Sequence, residues 1–240
     1  MINVALVGYG AMGQMVHKNF TSDMNLVGKV SIGELTSLYE IEEHIDVIID
    51  FSNPVNLDMI IDYATKNNTP VVIATTGYSD EQKEKIKELG TKVPVLWSSN
   101  YSLGVILLNR LVREITPILK DSFDIEIIEA HHNKKIDAPS GTAKMLLASV
   151  EEAGDFKVVN GRVGASKREP YKEVGVHAVR GGTIVGEHEV IFAGNDEVLT
   201  LKHSAQSKAI FAVGAIKGAK WLLDKKPNLY NMEDVLFGNN

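Results

Sequence analysis

Apolar residues recur along the 240-residue chain in short runs separated by amphipathic stretches of helix length. Val4-Ala5-Leu6-Val7 is the first run, and Met12, Met15, Val16 and Phe20 then fall on one side of a helix. Leu26 to Val30, His44 to Phe51, Pro70 to Ala74 and Val93 to Trp97 read as further buried strands. Asn53-Pro54 opens a helix, with the cap residue ahead of a proline in the first turn. Leu57, Ile60, Ile61 and Ala64 form its apolar face. Ser79 and Gln82 have the spacing of a capping box for a charged helix ending near Gly90. Repeated strand–helix alternation predicts a parallel sheet covered on both faces.

From Leu103 the pattern changes. A helix from Val105 to about Leu119 carries Leu108, Leu111, Val112 and Ile115 on one face. Phe123 to Ile128 reads as a strand with one buried face, and Lys144 to Val150 as a helix burying Ala143, Leu146, Leu147 and Val150. Gly154 to Lys172 is polar, basic and without period, so a mobile loop is expected there, with charges that could attract an anion. Glu173 to Val179, Thr183 to Phe192 and Glu197 to Lys202 are strands with no helix between them. They predict an open antiparallel or mixed sheet, and a partner subunit is the simplest cover for its exposed face. The small residues Gly214, Ala215, Gly218 and Ala219 mark a closely packed helix from Lys208 to Leu223, expected to return to the first domain with the tail Leu229 to Phe237.

The turn after the first strand adds chemistry. Gly8-Tyr9-Gly10-Ala11-Met12-Gly13 lies between a strand and a helix, the context of a dinucleotide-binding turn. Its glycines serve the tight turn, the approach of a pyrophosphate and helix–strand packing, in that order. Thr75, Thr76, Ser99, Asn100 and Tyr101 follow later strands and outline one crevice beyond the strand ends. The second strand ends in Ser31, where NAD-preferring units carry an acidic residue, and Lys29 is close by with no arginine clamp, so NADPH and NADH both remain open. The expected fold is a Rossmann-like, doubly wound parallel α/β sheet domain plus an α+β substrate domain with an open mixed sheet. Residues 1–101, completed by 212–240, would bind the dinucleotide; residues 102–211 would bind substrate and oligomerise.

The net charge of -6 argues against nucleic-acid binding, and the absence of cysteine removes disulfides, thiolate catalysis and Cys-based zinc sites. No metal site is expected. No apolar run reaches membrane-span length, and the chain starts directly in a strand without a basic leader, so a cytoplasmic protein with no membrane partner is expected.

The densest chemistry lies in Glu129-Ala130-His131-His132-Asn133-Lys134-Lys135-Ile136-Asp137-Ala138-Pro139-Ser140-Gly141-Thr142-Ala143. It brings imidazoles and amines to the end of a strand, just before a helix start. A helix N-terminus holds anions through its unpaired N–H groups and partial positive charge. Ser140, Gly141 and Thr142 are therefore expected to grip an anionic substrate that His131 or Lys135 protonates. A capped helix after a solvated turn is the plain alternative. If the segment stays extended, His131, Asn133 and Lys135 point to one side, and His132 and Lys134 to the other.

This stretch resembles the signature of bacterial dihydrodipicolinate reductases, also called 4-hydroxy-tetrahydrodipicolinate reductases. The resemblance extends to Val7–Gly13, Asp50-Phe51-Ser52, Ala74-Thr75-Thr76-Gly77, Ser99–Gly104, Arg180-Gly181-Gly182, Gly186–Val190 and His203-Ser204-Ala205. It implies NAD(P)H-dependent hydride transfer to C4 of a cyclic imine dicarboxylate and protonation at C3, in the diaminopimelate route to lysine. It implies that His131 and Lys135 handle the proton and that His132 contacts substrate. Gly141 and Thr142 would bind a carboxylate, with Ser140 beside them. The coenzyme would meet Gly8, Tyr9, Gly10, Ala11, Met12 and Gly13, then Ala74, Thr75 and Thr76, then Ser98, Ser99, Asn100 and Tyr101. Lys208 stands where the family often has an arginine, and a lysine is a point charge rather than a bidentate fork. Family members are usually homotetramers joined through the substrate domain. Two other readings stay open: another two-domain NAD(P)-dependent dehydrogenase, and a non-catalytic nucleotide-binding redox sensor. The missing cysteine argues against an aspartate-semialdehyde type of the former.

Overall fold

The computed structural model describes residues 1–238. The apolar runs form short strands, and the amphipathic stretches form the helices between them. In chain order these are β1 (Ile2–Val7), α1 (Ala11–Lys18), β2 (Met24–Val30), β3 (Val47–Asp50), α2 (Leu57–Asn67), β4 (Val71–Ile73), α3 (Asp80–Gly90) and β5 (Pro94–Trp97). Then come α4 (Leu103–Leu119), β6 (Asp124–His131), α5 (Gly141–Glu151), β7 (Lys157–Asn160), β8 (Glu173–Arg180), β9 (Gly186–Ala193) and β10 (Val198–Ala205). The chain finishes with α6 (Ala209–Leu222), β11 (Asn228–Tyr230) and α7 (Met232–Phe237). Two compact units result: Met1–Leu103 with the chain from Ala209 on, and Gly104–Lys208. Asn239 and Asn240, part of the expected first domain, lie outside the described residues.

The first unit holds a six-stranded sheet in the order β11-β5-β4-β3-β1-β2, with every pairing parallel. The direction of winding reverses between β1 and β3, which puts the ligand crevice of such a sheet beyond the C-terminal ends of those strands. Strand side chains alternate between faces. Ala5, Val7, Ile48, Val71, Ile73 and Val95 share a core with Leu57 and Ile60 of α2 and Ile86 and Leu89 of α3. On the other face α6 packs against α1, β3, β4 and β5. A methyl group on Gly214 would overlap the Tyr101 carbonyl, and one on Gly218 would overlap Leu96, so the small residues of α6 are what let it lie so close. The capping box at α3 forms as read from the sequence: Ser79 Oγ accepts from Gln82 N, and Gln82 Oε1 accepts from Ser79 N.

The second unit holds a mixed sheet in the order β10-β9-β6-β8-β7. β6 runs parallel to β8 and antiparallel to β9. Its inner face packs Ile125, Ile127, Val174, Val190 and Phe192 against Leu108 and Val112 of α4 and Leu146 and Val150 of α5. The segment expected to be a mobile loop instead contains β7, the edge strand beside β8. Both of its arginines are engaged: Arg162 pairs with Glu126 and Glu173, and Arg168 with Asp124 and Glu126. A four-residue strand with two apolar residues leaves no readable period, and its acidic partners lie on other strands. β11 escaped notice for the same reason of length. The segment does not stay extended beyond His131, so the alternation conditional on that does not arise: β6 ends there and Lys135 N closes a turn onto His132 O.

Candidate active site

In the first unit the glycine turn has the form its sequence requires. Gly8 sits at φ +88° and its α-carbon abuts the Phe51 backbone, so a side chain there would be strained and would overlap. Gly13 lies against the Gly8 carbonyl in the same way. An added Cβ on Gly10 would meet nothing within 4 Å, so this side of the turn is open. Gly10 is also the N-cap of α1, and no side chain caps that helix. Open space beside a helix N-terminus without a side-chain cap fits a dinucleotide's pyrophosphate. Gly10 and Ala11 are exposed, Tyr9 and Met12 partly so.

Asp50, the last residue of β3, is fully buried. Burial pushes its carboxyl above the usual range, against hydrogen bonds from Ser52, Thr75 and Tyr78. Tyr78 donates to Asp50 Oδ2 at 3.0 Å, and Ser52 N lies 2.7 Å from Thr75 Oγ1. This buried network fixes the turns after β3 and β4. Ala74 is half-buried, Thr75 is inside and Thr76 is exposed. Beyond β5, Ser98 donates to Asn100 O at 3.0 Å, and Asn100 Oδ1 accepts from Ser102 N at 2.8 Å. Tyr101 is buried, its hydroxyl within hydrogen-bond distance of Ile73 O and Leu96 O, so its side chain braces the sheet and only its backbone is left for a ligand. Ser99 is exposed. At the end of β2, Lys29 Nζ pairs with Glu34 Oε1 at 2.8 Å and lies 4.5 Å from the centre of the Tyr9 ring.

In the second unit β6 delivers Glu129 and His131 to one face of the sheet, because residues two apart on a strand share a face. His131 Nδ1 lies 2.6 Å from Glu129 Oε2, with 12% of the His131 side chain exposed and none of Glu129. Lys135 Nζ pairs with Asp137 Oδ1 at 2.8 Å and is 21% exposed, while His132 is half-buried. Ser140 caps α5, its Oγ accepting from Ala143 N at 3.2 Å. Ser140 itself is buried: its N–H donates to Glu129 Oε1 at 3.0 Å and its Oγ lies 3.1 Å from His188 Nε2. It therefore supports the turn from beneath, and Gly141 is the exposed residue of the helix start. Thr142 is partly exposed, and Lys208 is exposed at the end of this unit.

Three functional candidates escaped the sequence reading. Arg180 donates two hydrogen bonds to Glu129, each 2.8 Å. His188 packs edge-on to His131, ring centres 5.1 Å apart. Burial, then the neighbouring His131, lowers its pKa to about 4, so the ring is neutral at neutral pH. Glu129 was visible only as the first residue of the signature. Nothing local announces these partners, since 51 residues separate Glu129 from Arg180 and 48 separate Ser140 from His188.

A Rossmann-like sheet with an open glycine turn, and a mixed-sheet unit carrying an imidazole and an amine beside a helix start, define a two-unit nucleotide-dependent reductase. Residues 2–101 match the model of the dihydrodipicolinate reductase N-terminus, and residues 104–236 that of the C-terminus. The chain belongs to the dihydrodipicolinate reductase family. It is 44% identical to the 4-hydroxy-tetrahydrodipicolinate reductase of Clostridium novyi, over all of both chains. It is 43% identical to that of Exiguobacterium sibiricum, over 98% of this chain and 96% of the relative. Among solved structures, dipicolinate-bound dihydrodipicolinate reductase from Paenisporosarcina sp. TG-14 has the same fold, with a TM-score of 0.78 at 24% identity over 98% of this chain and 99% of the other. A myo-inositol dehydrogenase from Corynebacterium glutamicum shares the general architecture at a TM-score of 0.57 and 15% identity, over 99% of this chain and 93% of the other. No helix among the described residues is long and apolar enough to cross a membrane.

Proposed function

We propose that the chain reduces 4-hydroxy-tetrahydrodipicolinate to tetrahydrodipicolinate in the diaminopimelate route to lysine, as a cytoplasmic enzyme using NADPH or NADH. The observation that carries this reading is that, in one unit of a family member, Glu129 ties His131 to the start of α5, with Lys135 in the loop between them. The 4-hydroxyl leaves as water to give a conjugated cyclic imine, and the reduced nicotinamide, when bound, would supply a hydride to C4 of that imine. Gly8 to Gly13 hold the pyrophosphate through backbone N–H groups and the α1 N-terminus. The chain after β4 (Ala74, Thr75, Thr76) and after β5 (Ser98, Ser99, Asn100, Tyr101) lines the remainder of the coenzyme site.

Gly141 and Thr142 receive a substrate carboxylate at the α5 N-terminus, with Ser140 as the support and His132 as a further contact. His131 or Lys135 delivers the proton to C3. Hydride transfer needs donor and acceptor held in contact with water kept out. A second copy of the chain covers the outer face of the second sheet, where Val179 and Val198 are 48% and 64% exposed, in a homotetramer.

The test is to follow nicotinamide absorbance with the freshly generated product of the preceding synthase as substrate. The wild-type protein is expected to consume the coenzyme. His131→Ala and Lys135→Ala are expected to lower kcat by roughly 10²–10⁴-fold, with coenzyme affinity retained. Binding of the coenzyme without consumption would identify a sensor instead. Full turnover in both variants would remove these side chains from the proton step.

A further inference from the structure

We infer that Glu129 is a positioning residue for His131, that Arg180 locks it in that role, and that the same carboxylate ties His131 to the start of α5. The inference rests on the reading of His131 as a proton-handling group.

Glu129 lies wholly inside the second unit and accepts from four donors. His131 Nδ1 and Arg180 Nη1 reach Oε2 at 2.6 and 2.8 Å. Arg180 Nη2 and Ser140 N reach Oε1 at 2.8 and 3.0 Å. Arg180 is held in turn by the carbonyls of Val179 and Asp137, at 2.7 and 2.6 Å. An ionised carboxylate only accepts hydrogen bonds, so His131 Nδ1 must carry a hydrogen. In the neutral ring the lone pair is then on Nε2, the one atom left to exchange a proton. That atom stands over Gly186, where an added Cβ would lie 3.1 Å from it, so glycine leaves room on that side of the ring.

The charged and titratable groups at the imidazole are Glu129 on β6 and His188 on β9; Arg180 on β8 pairs with Glu129, Asp137 acts on Arg180, and His203 on β10 and Lys135 in the loop before α5 act on His188. Burial opposes the charge on Glu129, but the hydrogen bonds from Arg180, His131 and Ser140 outweigh it, so its carboxyl stays below the usual range. The carboxylate is therefore ionised throughout the working pH range. One side chain thus sets the tautomer of the proton-handling ring and holds Ser140, the residue on which the carboxylate-binding helix start is built.

A purely structural ion pair between β6 and β8 would keep the fold without caring which nitrogen of His131 is protonated. Glu129→Gln separates the two roles. Its NH2 group meets two donors at the Oε1 position, Arg180 and Ser140. At the Oε2 position it meets Arg180 and His131, and His131 can yield its proton. The amide therefore turns its NH2 toward His131 and donates to Nδ1, and the ring hydrogen moves to Nε2.

Long-range 1H–15N spectra of the protein labelled with 15N-histidine read this directly. Neutral His131 is expected as the Nδ1–H tautomer in the wild type and as Nε2–H in Glu129→Gln. The variant's kcat is expected to fall by roughly 10²-fold or more, as wrong-tautomer substitutions do. KM and coenzyme affinity should change by less than about threefold. A wild-type Nε2–H tautomer would overturn the proposal, as would a Gln variant with kcat within about threefold of wild type. If the variant does not fold, the wild-type spectrum decides alone. That spectrum needs no substrate, so failure of the wild type to turn over would sink the functional reading while the tautomer still tested Glu129.

Discussion

Single side chains set two thresholds in this protein. Lys29 Nζ lies 4.5 Å from the centre of the Tyr9 ring, in the turn proposed to receive the coenzyme, but Glu34 holds it at 2.8 Å. Glu34→Gln releases it toward a 2′-phosphate. The ratio of kcat/KM for NADPH over NADH is expected to rise about fivefold, the worth of one exposed charge contact of about 1 kcal/mol. Steady-state kinetics with both coenzymes check it, and an unchanged ratio would place Lys29 away from the adenosine ribose. His188 sets the second threshold. Its pKa falls from 6.5 to about 4 in the folded chain. Below pH 6.5 the unfolded chain takes up a proton that the folded chain refuses until about pH 4. The stability held above that window is therefore lost as pH falls through it, on the order of 3 kcal/mol. His188→Gln keeps a polar group toward Ser140 but does not titrate. The stability difference between wild type and variant, from urea unfolding at pH 7 and pH 4.5, should shift in the variant's favour at the lower pH.

At the level of the turn and the helix, the glycines after β1 divide by what surrounds them. A Cβ on Gly13 would overlap the Gly8 carbonyl, whereas one on Gly10 meets nothing within 4 Å. Gly13→Ala is expected to cost stability by about 1–3 kcal/mol, the usual range for overpacking. Gly10→Ala should leave the unfolding midpoint near wild type and weaken coenzyme binding, because its methyl group would occupy the open face proposed for the pyrophosphate. Thermal unfolding and a fluorescence titration with reduced coenzyme separate the two. Equal loss of stability in both would show that the turn serves packing alone. α5 depends on the same kind of local chemistry: Ser140 caps it, and Glu129 holds the cap from a neighbouring strand.

Over the molecule as a whole, each unit presents one part of the chemistry. The first carries the glycine turn and the strand ends, the second the imidazole, the amine and the α5 start. The central strands of the first sheet are buried on both faces, whereas β6 and β9 of the second alternate between buried and partly exposed residues, with helices on one face only. The proposed second copy gives a test. The wild-type chain should sediment well above its 26.3 kDa mass. Val179→Asp should reduce the assembled form, since an ionised carboxylate at an apolar contact is costly to desolvate. A wild-type monomer would remove the tetramer from the reading.

The local pattern of the chain determined what rests on near neighbours. The parallel sheet follows from strand–helix alternation, the open turn from Gly8 to Gly13, the α3 cap from Ser79 and Gln82, and the proton-handling candidates from one unbroken signature. Those features need only backbone geometry and side-chain period, which a short window records. The tertiary structure alone decided the rest. Arg180 reaches Glu129, His188 reaches Ser140, and Arg162 and Arg168 reach Glu126, across separations that the strand order of a mixed sheet creates. It also decided that Ser140 and Tyr101 are buried braces rather than exposed contacts. Burial and pairing between distant strands are properties of the assembled sheet, and no stretch of sequence carries them before that sheet forms.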